Sequence, residues 1–71
     1  MKLIDLKEND KATVRKINTK NNIFLKKAEA MGIKKGEEII IERRLGRNLV
    51  INLEGRKVVI DKDLAKEIEV E

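Results

Sequence analysis

Residues 31–41 read Met31-Gly32-Ile33-Lys34-Lys35-Gly36-Glu37-Glu38-Ile39-Ile40-Ile41, and this stretch decides the fold because a helix ends in it and a sheet begins. Upstream, Phe24, Leu25, Ala28 and Met31 recur at helical spacing. A glycine directly after the last of them fits the left-handed residue that closes many helices, with Ile33 where the accompanying apolar contact falls. Asn21 or Asn22 can cap the other end by accepting from free backbone amides, so a helix is predicted over about residues 23–31. Downstream, Lys34, Lys35 and Gly36 make a turn. Glu37 to Arg44 then alternates, with Ile39 and Ile41 on one face, charged neighbours on the other, and Ile40 as the exception.

Working outward from this junction, Leu45-Gly46-Arg47 is a short connection to Asn48–Leu53, where Leu49, Ile51 and Leu53 alternate with Asn48, Val50 and Asn52. Glu54-Gly55 turns the chain again into a strand at Lys57–Ile60, so the middle of the chain is a three-stranded meander. Asp61 can cap a single turn over Lys62–Lys66 with Leu64 and Ala65 pointing inward. Ile68 and Val70 then alternate with glutamates in a last strand that ends the chain inside the sheet. Towards the N-terminus, Leu3, Ile4 and Leu6 form an apolar cluster, and Asn9-Asp10 favours a turn. Lys11 to Asn18 reads as a β-branched strand whose slip from Val14 to Ile17 suggests a bulge or bend. The expected class is mainly β: a small, strongly bent antiparallel sheet of about five strands, one α-helix after the first and a helical turn before the last, curling towards closure. The expected core is Phe24, Leu25, Ala28, Met31, Ile39, Ile41, Leu49, Ile51, Ile60, Ile68 and Val70.

Length and composition bound what such a sheet can do. Seventy-one residues are predicted to be one domain spanning 1–71, too small for a buried active site beneath a lid. The chain has no Cys and no His, which excludes disulfides, zinc fingers and every nucleophile built on Cys-His or Ser-His-Asp. Ser, Tyr and Trp are also absent. The longest apolar runs are three residues, against about 20 for a membrane span. A small domain without cysteines or an N-terminal apolar run reads as cytoplasmic.

Few residue types remain for chemistry. The 13 carboxylates fall at turns and on polar strand faces, where solvation favours ordinary acidity. Thr13 and Thr19 lack a local activating base, so no catalytic residue is nominated and the chain does not read as an enzyme. Gly32 and Gly36 with their lysines superficially resemble a phosphate loop, but the segment follows a helix and precedes a strand, the reverse of a P-loop. Asp61, Asp63 and Glu67 form the only local acidic cluster and lack the twelve-residue calcium pattern. Asp61 as a helix cap is the simpler reading, and no metal or cofactor is expected.

Charge carries more. The net charge is +4, and it is unevenly spread: residues 1–60 carry 15 Lys+Arg and 8 Asp+Glu, whereas 61–71 carry 2 and 5. Lys26 and Lys27 lie on the helix, and Arg43, Arg44 and Arg47 surround one hairpin. These could form a basic surface suited to an acidic protein face, anionic lipid headgroups or nucleic acid. Strand-rich nucleic-acid modules usually add aromatic platforms, and the single aromatic, Phe24, is assigned to the core. Nucleic acid is therefore the alternative rather than the leading partner.

The order of elements and their marking residues resemble a known family. Leu3-x-x-Leu6, the Asn9-Asp10 turn, Val14-x-x-Ile17, the helix closing on Met31-Gly32-Ile33-x-x-Gly36, Ile39-x-Ile41 and Ala65-x-x-Ile68-x-Val70 look like FeoA, the small cytosolic partner of the FeoB ferrous iron transporter. Family members commonly carry Pro-Gly where Glu8-Asn9 stands, and Asn tolerates the left-handed conformation such a turn needs. The resemblance implies an SH3-like barrel, a family-level link to transition-metal binding, and an accessory role in ferrous iron uptake through the transporter's cytosolic GTP-binding region. On that reading Lys26, Lys27, Arg43, Arg44 and Arg47 are the partner-binding residues. The protein would sit in the cytoplasm or peripherally at the inner membrane through the transporter. An unpaired edge strand would also permit weak self-association.

Overall fold

The helix α1 (Asn22–Met31) is capped at both ends by the residues the sequence points to. The computed structural model describes all of residues 1–71. At the start of α1, Asn21 Oδ1 accepts from the amides of Ile23 at 2.9 Å and Phe24 at 3.4 Å. At its end Gly32 adopts φ +88°, its amide donating to the Ala28 and Glu29 carbonyls, and Ile33, completely buried, donates to Ala28 O at 2.9 Å. Gly32 is needed twice over. Its φ is one that L side chains avoid, and a Cβ there would lie 2.9 Å from Nη2 of Arg56, which donates to the Met31 carbonyl.

The sheet has five strands: β1 (Lys11–Ile17), β2 (Glu38–Leu45), β3 (Asn48–Leu53), β4 (Arg56–Asp61) and β5 (Ile68–Val70). They lie in the order β4-β3-β2-β1-β5 with every neighbouring pair antiparallel. β1 changes neighbour midway: Lys11–Thr13 pair with β2, whereas Val14, Lys16 and Ile17 pair with β5. The register shift between Val14 and Lys16 is the bulge that the slip in apolar spacing indicates, and it bends the strand from one layer of the sheet into the other. A second shift between Ile41 and Arg43 leaves Glu42 unpaired in β2. No ladder joins β4 to β5, so the barrel is not closed by hydrogen bonds; the helical turn α2 (Lys62–Ala65) spans between them. Asp61 Oδ1 caps that turn by accepting from Leu64 N at 2.8 Å.

The first residues do more than add apolar side chains. Leu3–Asp5 form a 3-10 turn, Lys2 bridges to Glu69 and the Val70 amide donates to Met1 O at 2.8 Å. β5 thus lies between β1 and the N-terminal segment.

Both layers close on an apolar core that includes Leu3, Leu6, Val14, Ile33, Ile39, Ile41, Ile51, Leu53, Ile60, Leu64 and Ile68. Of the expected core residues, Ala28, Ile39, Ile41, Leu49, Ile51, Ile60, Ile68 and Val70 are buried, while Phe24 and Met31 pack against the core half-buried. Leu25 is the correction: it is 36% exposed. Phe24, Ala28 and Met31 follow the i, i+4, i+7 spacing of one helix face, and Leu25 stands a quarter-turn away from it. Val50, expected on the polar face of β3, is 9% exposed between Arg43 and Val59 on the flanking strands.

Candidate interaction surface

Antiparallel register fixes which side chains the meander β2-β3-β4 turns outward, because residues directly opposite one another share a face. Three rows cross its outer face: Ile40-Asn52-Lys57, Arg43-Val50-Val59 and Leu45-Asn48-Asp61. Arg43 is exposed on this face, and Arg47 is exposed in the two-residue turn beyond its last row. Lys26 and Lys27 are exposed on α1. None of these four cations has an ion-pair partner in the chain, where the pairs formed are Lys11–Glu38, Lys16–Glu69 and Lys34–Glu37.

Arg44 is different. It pairs with the inward-facing Leu49, and its guanidinium Nη2 donates to the Ile4 carbonyl and, at 2.7 Å, to the Leu6 carbonyl. Its backbone amide donates to Glu8 Oε2 at 3.2 Å. Arg44 therefore ties the N-terminal segment to β2 through Nη2, while the residue as a whole stays exposed. An arginine in a strand reads the same in sequence whether it is free or committed in this way. The other four fall into two groups. The C-terminal end of α1 is held by Arg56, at the opposite end of the meander from Arg47 and about 20 Å along β3. Lys26 and Lys27 thus stand on α1, and Arg43 and Arg47 on and just beyond β2.

Sequence reasoning missed an acidic site at the α1 end of the meander. A cleft of 310 Å³ is lined by Glu37, Glu38, Ile40, Asn52, Glu54 and Gly55. The Glu37 carboxyl is raised above the usual carboxylate range by its hydrogen bond with Glu54, by partial burial and by the Glu54 charge, against the opposing pull of Lys34 and Arg56. The two glutamates lie 17 positions apart in sequence and meet only because the turn before β2 and the β3–β4 hairpin are neighbours, so no local pattern announces them. Nowhere do three acidic side chains gather in a way that could hold a metal ion; Asp61, from the cluster flagged in the sequence, has an oxygen committed to capping α2. Another carboxylate oxygen, Glu42 Oε2 in the β2 bulge, is buried without a hydrogen-bond partner.

Comparison with known proteins gives this surface a context. The family model described as "FeoA domain" matches residues 1–71. A crystal structure described as an iron uptake regulatory protein (FeoA) superposes with a TM-score of 0.90 at 25% identity, over 100% of this chain and 93% of that one. The solution structure of a FeoA-like protein from Clostridium acetobutylicum gives a TM-score of 0.91 at 30% identity, over 100% of this chain and 84% of that one. A FeoA from Stenotrophomonas maltophilia, complexed with zinc and described as a prokaryotic SH3 domain protein, gives 0.86 at 21% identity, over 100% and 89%, and speaks to the fold alone. No curated protein matches the chain significantly.

Proposed function

The chain belongs to the FeoA family, whose members are non-enzymatic accessories of ferrous iron transport, and from that premise we propose that it acts by docking on the cytosolic GTP-binding region of a FeoB-type transporter. In this reading residues 1–71 work as one interaction domain with no catalysis of their own. The protein is held in the cytoplasm, reaching the inner membrane only through its partner. No helix is long and apolar enough to cross a membrane. Ferrous iron is the transporter's cargo, and nothing in the proposal requires this chain to carry it.

The observation that carries the docking surface is the exposure of Lys26, Lys27, Arg43 and Arg47 without any ion-pair partner in the chain. Exposed cations that are not compensated internally steer an acidic partner and fix its register. Arg44 contributes by holding the β2 end of this surface in place rather than by contact. The half-buried Phe24 leaves no exposed aromatic platform, which argues against nucleic acid as the principal ligand.

Titration of the purified protein into the isolated cytosolic domain of the transporter, with and without guanine nucleotide and at two salt concentrations, tests the proposal. Saturable binding that weakens in K26E/K27E or R43E/R47E is the expected result. Unchanged affinity in both variants would remove the basic sites from the interface, and salt-sensitive binding to nucleic acid alone would replace the reading.

A further inference from the structure

Three of the six large hydrophobic side chains that the molecule leaves exposed, Ile40, Leu45 and Val59, lie on the outer face of the meander. They are arranged with a symmetry that the sequence order hides. Along β2 the outward positions run from Glu38 through Ile40, Arg43 and Leu45 to Arg47 in the turn, and along β4 they run Lys57, Val59, Asp61. Within these three strands, and leaving aside Arg43 on the central row, each apolar position is mirrored by an apolar one and each charge by its opposite about the Arg43-Val50-Val59 row. Lys11 of β1, opposite Ile40 and paired with Glu38, flanks the face without a mirrored partner. Ile40 mirrors Leu45, Lys57 mirrors Asp61, and Glu38 with Glu54 mirrors Arg47. The remaining pair, Asn52 and Asn48, is amide against amide.

A face with that pattern complements itself. We infer that the outer face of β2-β3-β4 is a docking surface for a second copy of this chain, related by a two-fold axis through the Val50 row, in the plane of contact and perpendicular to the strands. Under that rotation Lys57 of each copy meets the oxygen of the partner's Asp61 that does not cap α2. The Glu38–Glu54 cleft, whose Glu38 also pairs with Lys11 of its own chain, receives the partner's Arg47, Ile40 packs on the partner's Leu45, and Val59 packs on its equivalent. The alternative in-plane axis, parallel to the strands, fits worse, because it sets Ile40 against the partner's Lys57 and Leu45 against its Asp61. The one like-charge meeting on the chosen axis is Arg43 with its equivalent. Each Arg43 follows Glu42, whose carboxylate has an unpaired oxygen.

Size sets the strength. Three strands spaced about 4.8 Å apart and some six residues long offer a face about 14 Å by 20 Å, well short of the ~800 Å² per partner of a stable interface. The dimer is therefore weak and concentration-dependent. The surface shares Arg43 and Arg47 with the transporter proposal, and because this test contains only this chain either reading can fail without the other.

The test is the amide spectrum of the ¹⁵N-labelled protein between about 20 μM and about 1 mM, a range that spans a weak association. Concentration-dependent shifts centred on Ile40, Leu45 and Val59 are expected. R47E should weaken the association about tenfold, because each lost pair occurs twice in a two-fold dimer, and E38K/R47E, which exchanges the two charges, should recover a large part of that loss. Spectra that do not change up to the highest concentration overturn the inference. So do shifts confined to another surface, and so does a double variant that associates no better than R47E.

Discussion

Gly32 concentrates several requirements at one position. It ends α1 at φ +88°, and Nη2 of Arg56 occupies the space where a Cβ would go. Gly32→Ala should therefore destabilise the fold by about 1–2 kcal/mol, with the Arg56 link to Met31 loosened, as read by chemical denaturation. Arg44→Ala should cost about 1 kcal/mol, because two carbonyls of the N-terminal segment lose a charged donor while solvent can replace part of it; amide exchange at residues 2–6 should accelerate. Glu37 behaves in the opposite sense. Its folded pKa is raised, so between the ordinary carboxylate value and the raised one the folded state holds more protons than the unfolded state, and stability falls as pH rises through that window. Glu37→Gln should raise the melting temperature at pH 7 and leave it nearly unchanged well below the ordinary carboxylate pKa, where both states are protonated. A variant that melts lower at pH 7 would show that Glu37 is stabilised by Lys34 and Arg56 more than it is strained by Glu54.

Elements divide into those with local signals and those without. α1 was legible at both ends, because an Asn cap and a left-handed Gly act within one turn of the chain. Asn21→Ala should lower stability by about 1 kcal/mol, with Asn21→Gly closer to the parent. The hairpins were legible from Gly46 and Gly55, and the left-handed turn at Asn9, φ 73°, forms where the family commonly has Pro-Gly. The burial of Leu25 was misjudged because 24, 25, 28 and 31 all fit a helical repeat, and only the packing shows that the stripe runs through Phe24, Ala28 and Met31. The 3-10 turn at Leu3–Asp5 was missed although it is held locally, Asp5 Oδ2 accepting from the Lys2 amide at 3.1 Å, because the apolar Leu3, Ile4 and Leu6 dominate the reading of that segment. Both bulges re-aim strands. The one at Arg15 was visible as a slip in the apolar pattern, and the one at Glu42 was hidden inside an ordinary alternation.

At the scale of the whole molecule, the sheet, the helix and the order of elements follow from periodicity, whereas the surface depends on long-range register. The sequence grouped Lys26, Lys27, Arg43, Arg44 and Arg47 by sign. The fold places the two lysines on α1 and Arg43 and Arg47 on and beside β2, ties Nη2 of Arg44 to the N-terminal segment, and sets an acidic cleft on the same face as Arg43. Charge alternation on that face is a property of three strands at once, so it could not be read from any one of them. A molecule of net charge +4 that docks through exposed cations should lose affinity for an acidic partner as salt rises, mainly by slower association.

The most direct test of the docking account is to add the unlabelled cytosolic GTP-binding domain of the transporter to the dilute ¹⁵N-labelled protein and follow every amide. The account predicts saturable shifts concentrated in α1 around Lys26 and Lys27 and in the β2–β3 turn around Arg43 and Arg47. A spectrum that does not change, or shifts that spare both of those regions, would contradict it.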